Sequence, residues 1–133
     1  MELNEIIKRL EDNDPTLTEL DLTCLEIGSE GAKALSKALE NNTTLKELIL
    51  SCNQIGDWGV ELLANALETN TTLKELGLWW NHIGNEGAMA LARVLERNTT
   101  LYTLRVGSNR IREVGTTALK KAMSKNERDL WLR

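Results

Sequence analysis

Residues 73–84 read LKELGLWWNHIG, and the chain repeats this pattern four times. The four copies begin at Leu17, Leu45, Leu73 and Leu101, so successive copies start 28 residues apart (45−17, 73−45, 101−73). Each copy continues with an Ile-x-x-x-Gly element and a run of small and aliphatic residues. A fixed period of about 20–50 residues is typical of proteins that stack one structural unit, so the repeat predicts a solenoid.

Each repeat predicts one strand and one helix. The leucines of the first half, such as Leu45, Leu48 and Leu50, place alternate residues on opposite faces, as in a short strand. The second half carries small and aliphatic residues at spacings of three and four, as on one face of a helix. Because helices are wider than strands (about 10 Å against about 4.8 Å), such a stack curves with its strands inside. We therefore predict an α/β fold, a short right-handed solenoid (horseshoe) with a concave parallel sheet and convex helices.

Equivalent small and polar residues mark the turns of each repeat. Asn53, Asn81 and Asn109 follow the strands, and we expect their amides to bond the turn backbones of adjacent repeats, because a buried polar group needs partners. Equivalent glycines suit a tight entry where helix backbone approaches strand backbone; they are Gly31, Gly59, Gly87 and Gly115. Asn-x-Thr sequons also recur, and we interpret them as by-products of the repetition rather than as glycosylation sites; they are Asn41, Asn42, Asn70 and Asn98.

The two ends of the chain frame the repeats, and we predict that residues 1–133 form a single domain. Within residues 1–16, apolar residues are spaced as on one face of a helix, which Pro15 then stops. This helix is expected to cap the apolar end of the first repeat. Residues 130–133 are predicted to begin a fifth strand.

Composition excludes several classes of function. The formal net charge of −4 argues against nucleic-acid binding, and no apolar run approaches the roughly 18 residues that span a bilayer. The charged N-terminus is unlike a secretory signal, so we expect a cytoplasmic protein. In that compartment Cys24 and Cys52, which occupy equivalent positions of adjacent repeats, are expected to be free thiols, although a disulfide is geometrically conceivable. The lone His82 and the lack of a nucleophile–base pair or ligand set predict no enzyme activity, no metal and no cofactor.

The pattern Leu-x-x-Leu-x-Leu-x-x-Asn-x-Ile-Gly, seen at residues 73–84, resembles the ribonuclease-inhibitor-like class of leucine-rich repeats. That resemblance covers the chain from Leu17 onward and implies protein–protein binding. Residues 5–22, EIIKRLEDNDPTLTELDL, resemble the cap and first strand of the tropomodulin/leiomodin repeat domain. This second resemblance implies capping of actin filaments at their pointed ends.

Two features depart from the tropomodulin/leiomodin pattern. Leu25 stands where the repeat expects asparagine, which fits a junction with a cap. The family's repeat domain finishes with a C-terminal helix, whereas this sequence finishes with the start of a strand. Successive repeats are also nearly identical, which suggests a consensus-based, engineered or truncated protein.

The candidate binding face consists of the positions that vary while the framework repeats. The third, fifth and seventh positions of each repeat point to the concave side, and the eighth lies at its rim. We predict that a protein partner binds there and on the neighbouring aromatic residues. The candidate residues are Glu19, Glu47, Ile49, Ser51, Trp58, Glu75, Trp79, Trp80, Tyr102 and Arg105.

Two alternatives stay open on this face. The column of three glutamates is either an acidic strip for a basic partner or solvated surface relieved by the nearby Lys46 and Lys74. Trp79 and Trp80, adjacent in a predicted strand, are expected to form an exposed aromatic patch with Trp58 on a neighbouring loop, as at many binding hot spots. The alternative is that Trp80 packs locally over the start of the adjacent helix.

The C-terminal edge raises the question of self-association. Leu130, Trp131 and Arg133 are predicted to leave a strand edge open, and open edges pair with other chains, so a homodimer is one candidate assembly. Three functions remain at this point. The chain is a protein-binding module, a designed or consensus scaffold without a natural partner, or a tropomodulin-like actin-binding domain.

Overall fold

Five short strands form one parallel sheet in the order β1-β2-β3-β4-β5 in the computed structural model, which describes residues 2–133. The strands are β1 (Glu19–Asp21), β2 (Glu47–Ile49), β3 (Glu75–Gly77), β4 (Thr103–Arg105) and β5 (Asp129–Trp131). The helices are α1 (Leu3–Glu11), α2 (Gly28–Asn41), α3 (Gly56–Leu67), α4 (Asn85–Leu95) and α5 (Glu113–Ser124), with a 3₁₀ turn at Lys125–Glu127. Strands and helices alternate as the repeat predicts.

The register of the sheet places equivalent residues side by side. Glu19 pairs with Glu47, and Glu47 pairs with Glu75, so each step along the sheet is one repeat. The last step is shorter, because Thr103 pairs with Asp129, 26 residues on (129−103). The fifth strand therefore begins one residue before the predicted 130–133 segment and ends at Trp131.

Leucines from the strands and aliphatic residues from the helices form one continuous core. Leu48, Leu76 and Leu104, the middle residues of the three central strands, are all at most 1% exposed. The cap helix α1 closes one end of this core with Ile6 and Leu10, both buried. The amphipathic segment at the N-terminus is thus a helix that covers the first repeat.

A first asparagine ladder, which we call the inner ladder (Asn53, Asn81 and Asn109), joins the turns that follow the strands. The Asn53 amide donates to the carbonyl of Leu22 at 2.8 Å, and its Oδ1 accepts from the backbone N–H groups of Leu25 and Ile27 at 2.9 and 3.1 Å. Each asparagine therefore serves the turn of the preceding repeat. Leu25 occupies the equivalent position in the first repeat, where no earlier repeat provides a turn for an amide to bond.

A second ladder, the outer ladder (Asn42, Asn70 and Asn98), joins the turns that follow the helices. The Asn70 amide donates to the carbonyls of Leu39 and Asn42 at 2.8 and 3.2 Å, and its Oδ1 accepts from the N–H of Leu73 at 2.9 Å. Asn42 and Asn70 are 2% exposed. The recurring sequons are therefore turns built around an amide, a role that the sequence interpretation missed.

Arg128 takes the place of the next amide in the outer ladder. Its guanidinium donates to the carbonyls of Asn98 and Leu95 at 2.6 and 2.5 Å, the acceptors that a further asparagine would use. It also reaches the carbonyls of Leu101 and Ala122 at 3.1 and 2.8 Å. This buried arginine closes the C-terminal end of the stack.

The recurring glycines meet the preceding helix start rather than a strand. A Cβ added at Gly87 would lie 2.7 Å from Asp57 Oδ1 and 2.9 Å from Ile83 Cγ2. Asp57 Oδ1 accepts from the N–H groups of Gly84 and Gly87 at 2.7 and 3.1 Å, and so caps the next helix. Asn85 caps α5 in the same way, so helix starts are stabilised by the preceding repeat.

Candidate interaction surface

Three rows of side chains make up the concave face. Row one consists of the first residue of each strand, and row two consists of the third residue. Row three consists of the residue two positions after the end of each strand. Row one contains Glu19, Glu47, Glu75, Thr103 and Asp129; row two contains Asp21, Ile49, Gly77, Arg105 and Trp131; row three contains Thr23, Ser51, Trp79, Gly107 and Arg133. Acidic groups dominate the first repeats, whereas tryptophan and arginine occur in these rows from the third repeat onward, together with Asp129.

Row one concentrates negative charge around Glu47. This residue lies between Glu19 and Glu75 in register, at the usual spacing of neighbouring strands of about 4.8 Å. Burial raises the pKa of Glu47, and the charges of Glu75 and then Glu19 raise it further. Ionisation of Glu47 is therefore less favourable in the folded protein than in water, and a nearby cation would make it more favourable.

Arg105 is the cation that partly relieves the acidic row. Its Nη2 lies 3.3 Å from Glu75 Oε2, and its charge acts to lower the pKa of Glu47. Across residues 2–133, no ion pair joins Lys46 or Lys74 to these glutamates. The relief that the sequence interpretation assigned to the lysines thus comes from a residue of the fourth repeat.

The same Arg105 joins two tryptophans into one cluster. Its guanidinium carbon lies 5.3 Å from the ring centroid of Trp79 and 4.9 Å from that of Trp131. The Trp79 indole N–H donates to the carbonyl of Arg133 at 3.3 Å. We call Trp79, Arg105 and Trp131 the arginine–tryptophan cluster. It unites candidates that the sequence assigned separately to partner binding and to self-association.

Trp58 and Trp80 stand apart from this cluster. β3 ends at Gly77, so the prediction that Trp79 and Trp80 lie in a strand is wrong. Trp80 lies in the turn that follows, with a φ of 57°. Trp80 is 66% exposed beside Cys52, His82, Ser108 and Arg110. Trp58, which was expected in a loop, lies in the first turn of α3 and is 46% exposed. The left-handed turn separates the direction of Trp80 from that of Trp79.

The remaining predicted residues differ in what they offer a partner. Ser51 is 8% exposed, and its Oγ is buried without a hydrogen-bond partner. Ile49 is half-buried over Gly77, where an added Cβ would lie 2.9 Å from Ile49 Cδ1. Tyr102 is 52% exposed before β4, and its hydroxyl lies 3.4 Å from the carbonyl of Glu127. The buried positions of the three rows are thus Ser51, Gly77, Thr103 and Gly107, and the other positions are exposed or half-buried.

No cluster of three or more metal-ligating side chains occurs within residues 2–133. None of the helices described is long and apolar enough to cross a membrane. Cys24 and Cys52 are free and exposed.

The tropomodulin/leiomodin leucine-rich domain model matches residues 1–128. The solved structure described as leiomodin-1 actin-binding site 2 is similar, with a TM-score of 0.87 and 28% identity over 100% of this chain and 80% of that one. The tropomodulin C-terminal domain of Caenorhabditis elegans has the same fold, with a TM-score of 0.86 and 19% identity over 100% of this chain and 83% of that one. No curated protein matches the sequence. The resemblance and fold predicted from the sequence are confirmed, and the chain belongs to the tropomodulin/leiomodin leucine-rich-repeat family.

Proposed function

We propose that this protein-binding leucine-rich-repeat module binds actin through its concave face, without enzymatic activity and in the cytoplasm. The observation that carries the proposal is the similarity, along the whole chain, to a leiomodin-1 segment described as an actin-binding site. Family membership supports the same conclusion. It also makes the alternative of a scaffold without a natural partner the weaker one.

The concave face offers a partner two kinds of surface, one acidic and one aromatic. The acidic half, Glu19, Glu47 and Glu75, attracts basic groups of a partner and favours fast, oriented association. The arginine–tryptophan cluster supplies aromatic and guanidinium surface, the residue types most enriched at binding hot spots. Trp131 is 47% exposed, so one ring of the cluster is open to a partner.

Two variants test the proposal with a matched control. Trp131→Ser removes an exposed ring from the concave face, and Trp58→Ser removes a ring of equal exposure from a helix, since the two are 47% and 46% exposed. In co-sedimentation with actin filaments and in pointed-end elongation assays, we expect Trp131→Ser to weaken binding by about tenfold or more. Trp58→Ser should bind as the unchanged protein does.

The outcomes separate the parts of the proposal. An unchanged protein that neither sediments with filaments nor alters pointed-end elongation overturns actin binding and returns the scaffold hypothesis. Equal binding by both variants leaves actin as the partner but removes the concave cluster as the contact.

Self-association is a second use for the same ring. β5 is one of the two edge strands of the described sheet, and Trp131 is exposed on it, close in sequence to Leu130 and Arg133. Light scattering coupled to size exclusion measures the mass of the protein over a range of concentrations. A dimer that Trp131→Ser converts to a monomer supports pairing through this edge, and a monomer at every concentration excludes it.

A further inference from the structure

Cys24 and Cys52 stand at equivalent rim positions of the first two repeats. Both adopt the left-handed conformation, with φ of 56° and 60°. The backbone N–H of Cys24 donates to the carbonyl of Ser51 at 2.9 Å, so the two turns are tied together next to the thiols. Both side chains are exposed and neither is bridged.

The register of β1 and β2 keeps these residues one strand spacing apart. Asp21 pairs with Ile49, three residues before each cysteine. Neighbouring strands lie about 4.8 Å apart, which falls within the Cα–Cα separation of about 4.4–6.8 Å that a disulfide spans. Because the two backbones have similar φ values, their Cβ atoms leave in the same direction and both thiols lie on the same side of the rim.

The neighbouring Cys52 affects the pKa of the Cys24 thiol. A hydrogen bond from the Cys52 side chain is the main cause that raises the pKa of Cys24, with burial as a smaller one. The equivalent rim positions of the third and fourth repeats are Trp80 and Ser108, so only the first two repeats carry a thiol there. It lies beyond the strand pair in which Glu19 faces Glu47.

We propose that Cys24 and Cys52 form a dithiol modification site that small-molecule disulfides of the glutathione class convert to an intramolecular disulfide. One thiolate attacks a sulfur of the small disulfide, which breaks the S–S bond and releases one small thiol after protonation. The second cysteine loses its proton and attacks the mixed disulfide, releasing the second small thiol. Two protein thiols are oxidised, and one small disulfide is reduced to two thiols.

The resulting bond joins the first repeat covalently to the second. It closes a loop of 28 residues (52−24) that contains all of α2. Cross-links of this kind act by restricting the unfolded chain, so the oxidised protein is expected to melt at a temperature higher by about 5 °C or more. The site lies at the rim rather than within the arginine–tryptophan cluster, so oxidation leaves that cluster intact.

Mass spectrometry after exposure to oxidised glutathione, at low protein concentration, tests the site. The folded chain is expected to lose the mass of two hydrogen atoms, to show no free thiol and to form no disulfide between chains. Cys24→Ser and Cys52→Ser should each stop at a stable glutathione adduct, because no second thiol releases it.

A matched control places two thiols in the same column but farther apart. The Cys24→Ser/Ser108→Cys variant pairs Cys52 with a thiol two strand spacings away, about 9.6 Å, which is too far for a disulfide. It should accumulate adducts at both sulfurs. The proposal is overturned if the unchanged protein also accumulates two adducts, or if its only disulfides are between chains.

Discussion

The asparagine ladders and the concave rows occupy equivalent positions of the same repeats, yet one set keeps its residue type and the other changes. Asn53 and Asn81 of the inner ladder are fully buried. In row two, by contrast, Asp21 is followed by Ile49, Gly77 and Arg105. A buried amide must satisfy the same backbone groups in each repeat, whereas an open position carries no such demand. The ladders thus stabilise the fold, and the rows are the proposed recognition surface.

The largest effect is expected for Asn81→Ala, in the middle of the inner ladder. The substitution leaves the N–H groups of Asn53 and Ile55 without their acceptor and removes one of the two amide donors to the carbonyl of Leu50. Because unsatisfied buried groups cost about 1–3 kcal/mol each, unfolding in urea should show a loss of about 3 kcal/mol. If Asn81→Ala lowered the free energy of unfolding by less than Trp131→Ser does, the ladders would not be the more stabilising of the two regions.

Arg128→Met tests whether a residue outside the repeat pattern belongs to the framework. Four carbonyls lose a donor, and we expect the free energy of unfolding to fall by about 2 kcal/mol. Arg128→Lys is the control, and it should recover only part of the loss because an ammonium group cannot reproduce the planar fork of donors. Full recovery by lysine would contradict the assignment of separate donors to separate carbonyls.

Asn85→Ala tests a helix cap that the preceding repeat supplies. Its Oδ1 accepts from the N–H groups of Arg112 and Gly115, both at 3.0 Å, so it caps α5 from the preceding repeat. Loss of a helix cap costs about 1 kcal/mol, and thermal or urea unfolding measures it. The exposed neighbour Glu86, replaced by alanine, should leave stability within about 0.5 kcal/mol.

The smallest effect, and one of opposite sign, is expected for Glu47→Gln in row one. The pKa of Glu47 is raised above its usual 4.5, so the folded state disfavours the charged form at neutral pH. The variant should therefore be more stable than the unchanged protein at pH 7, by about 0.5 kcal/mol. As the pH falls through the raised pKa, Glu47 takes up a proton, and the difference should shrink and vanish below the usual value.

Urea unfolding at a series of pH values measures this difference. Glu75→Gln is the control, because it removes the partner of Arg105 along with the charge and should give no gain. A difference between Glu47→Gln and the unchanged protein that grows on acidification would contradict the raised pKa.

The structure adds framework residues and a surface cluster that periodicity does not reveal. Asn42, Asn70 and Asn98 recur in the sequence, but a recurring polar residue at a turn is equally consistent with solvent exposure. The burial of Asn42 and Asn70 and the backbone hydrogen bonds of all three identify the ladder. Arg128 has no counterpart in earlier repeats, so no comparison along the chain indicates its role. The cluster formed by Arg105 with Trp79 and Trp131 depends on side chains that cross from one row to another.

The stacked fold, its parallel sheet, the inner ladder and the rows of the concave face follow from the 28-residue period alone, because a strict period makes equivalent residues neighbours. Which long side chains meet on that face depends on the three-dimensional packing. The shorter last step to β5 aligns Trp131 with Arg105, and the left-handed turn at Trp80 directs that ring away from Trp79. A period specifies which positions are equivalent, but the directions of long side chains depend on the packing around them.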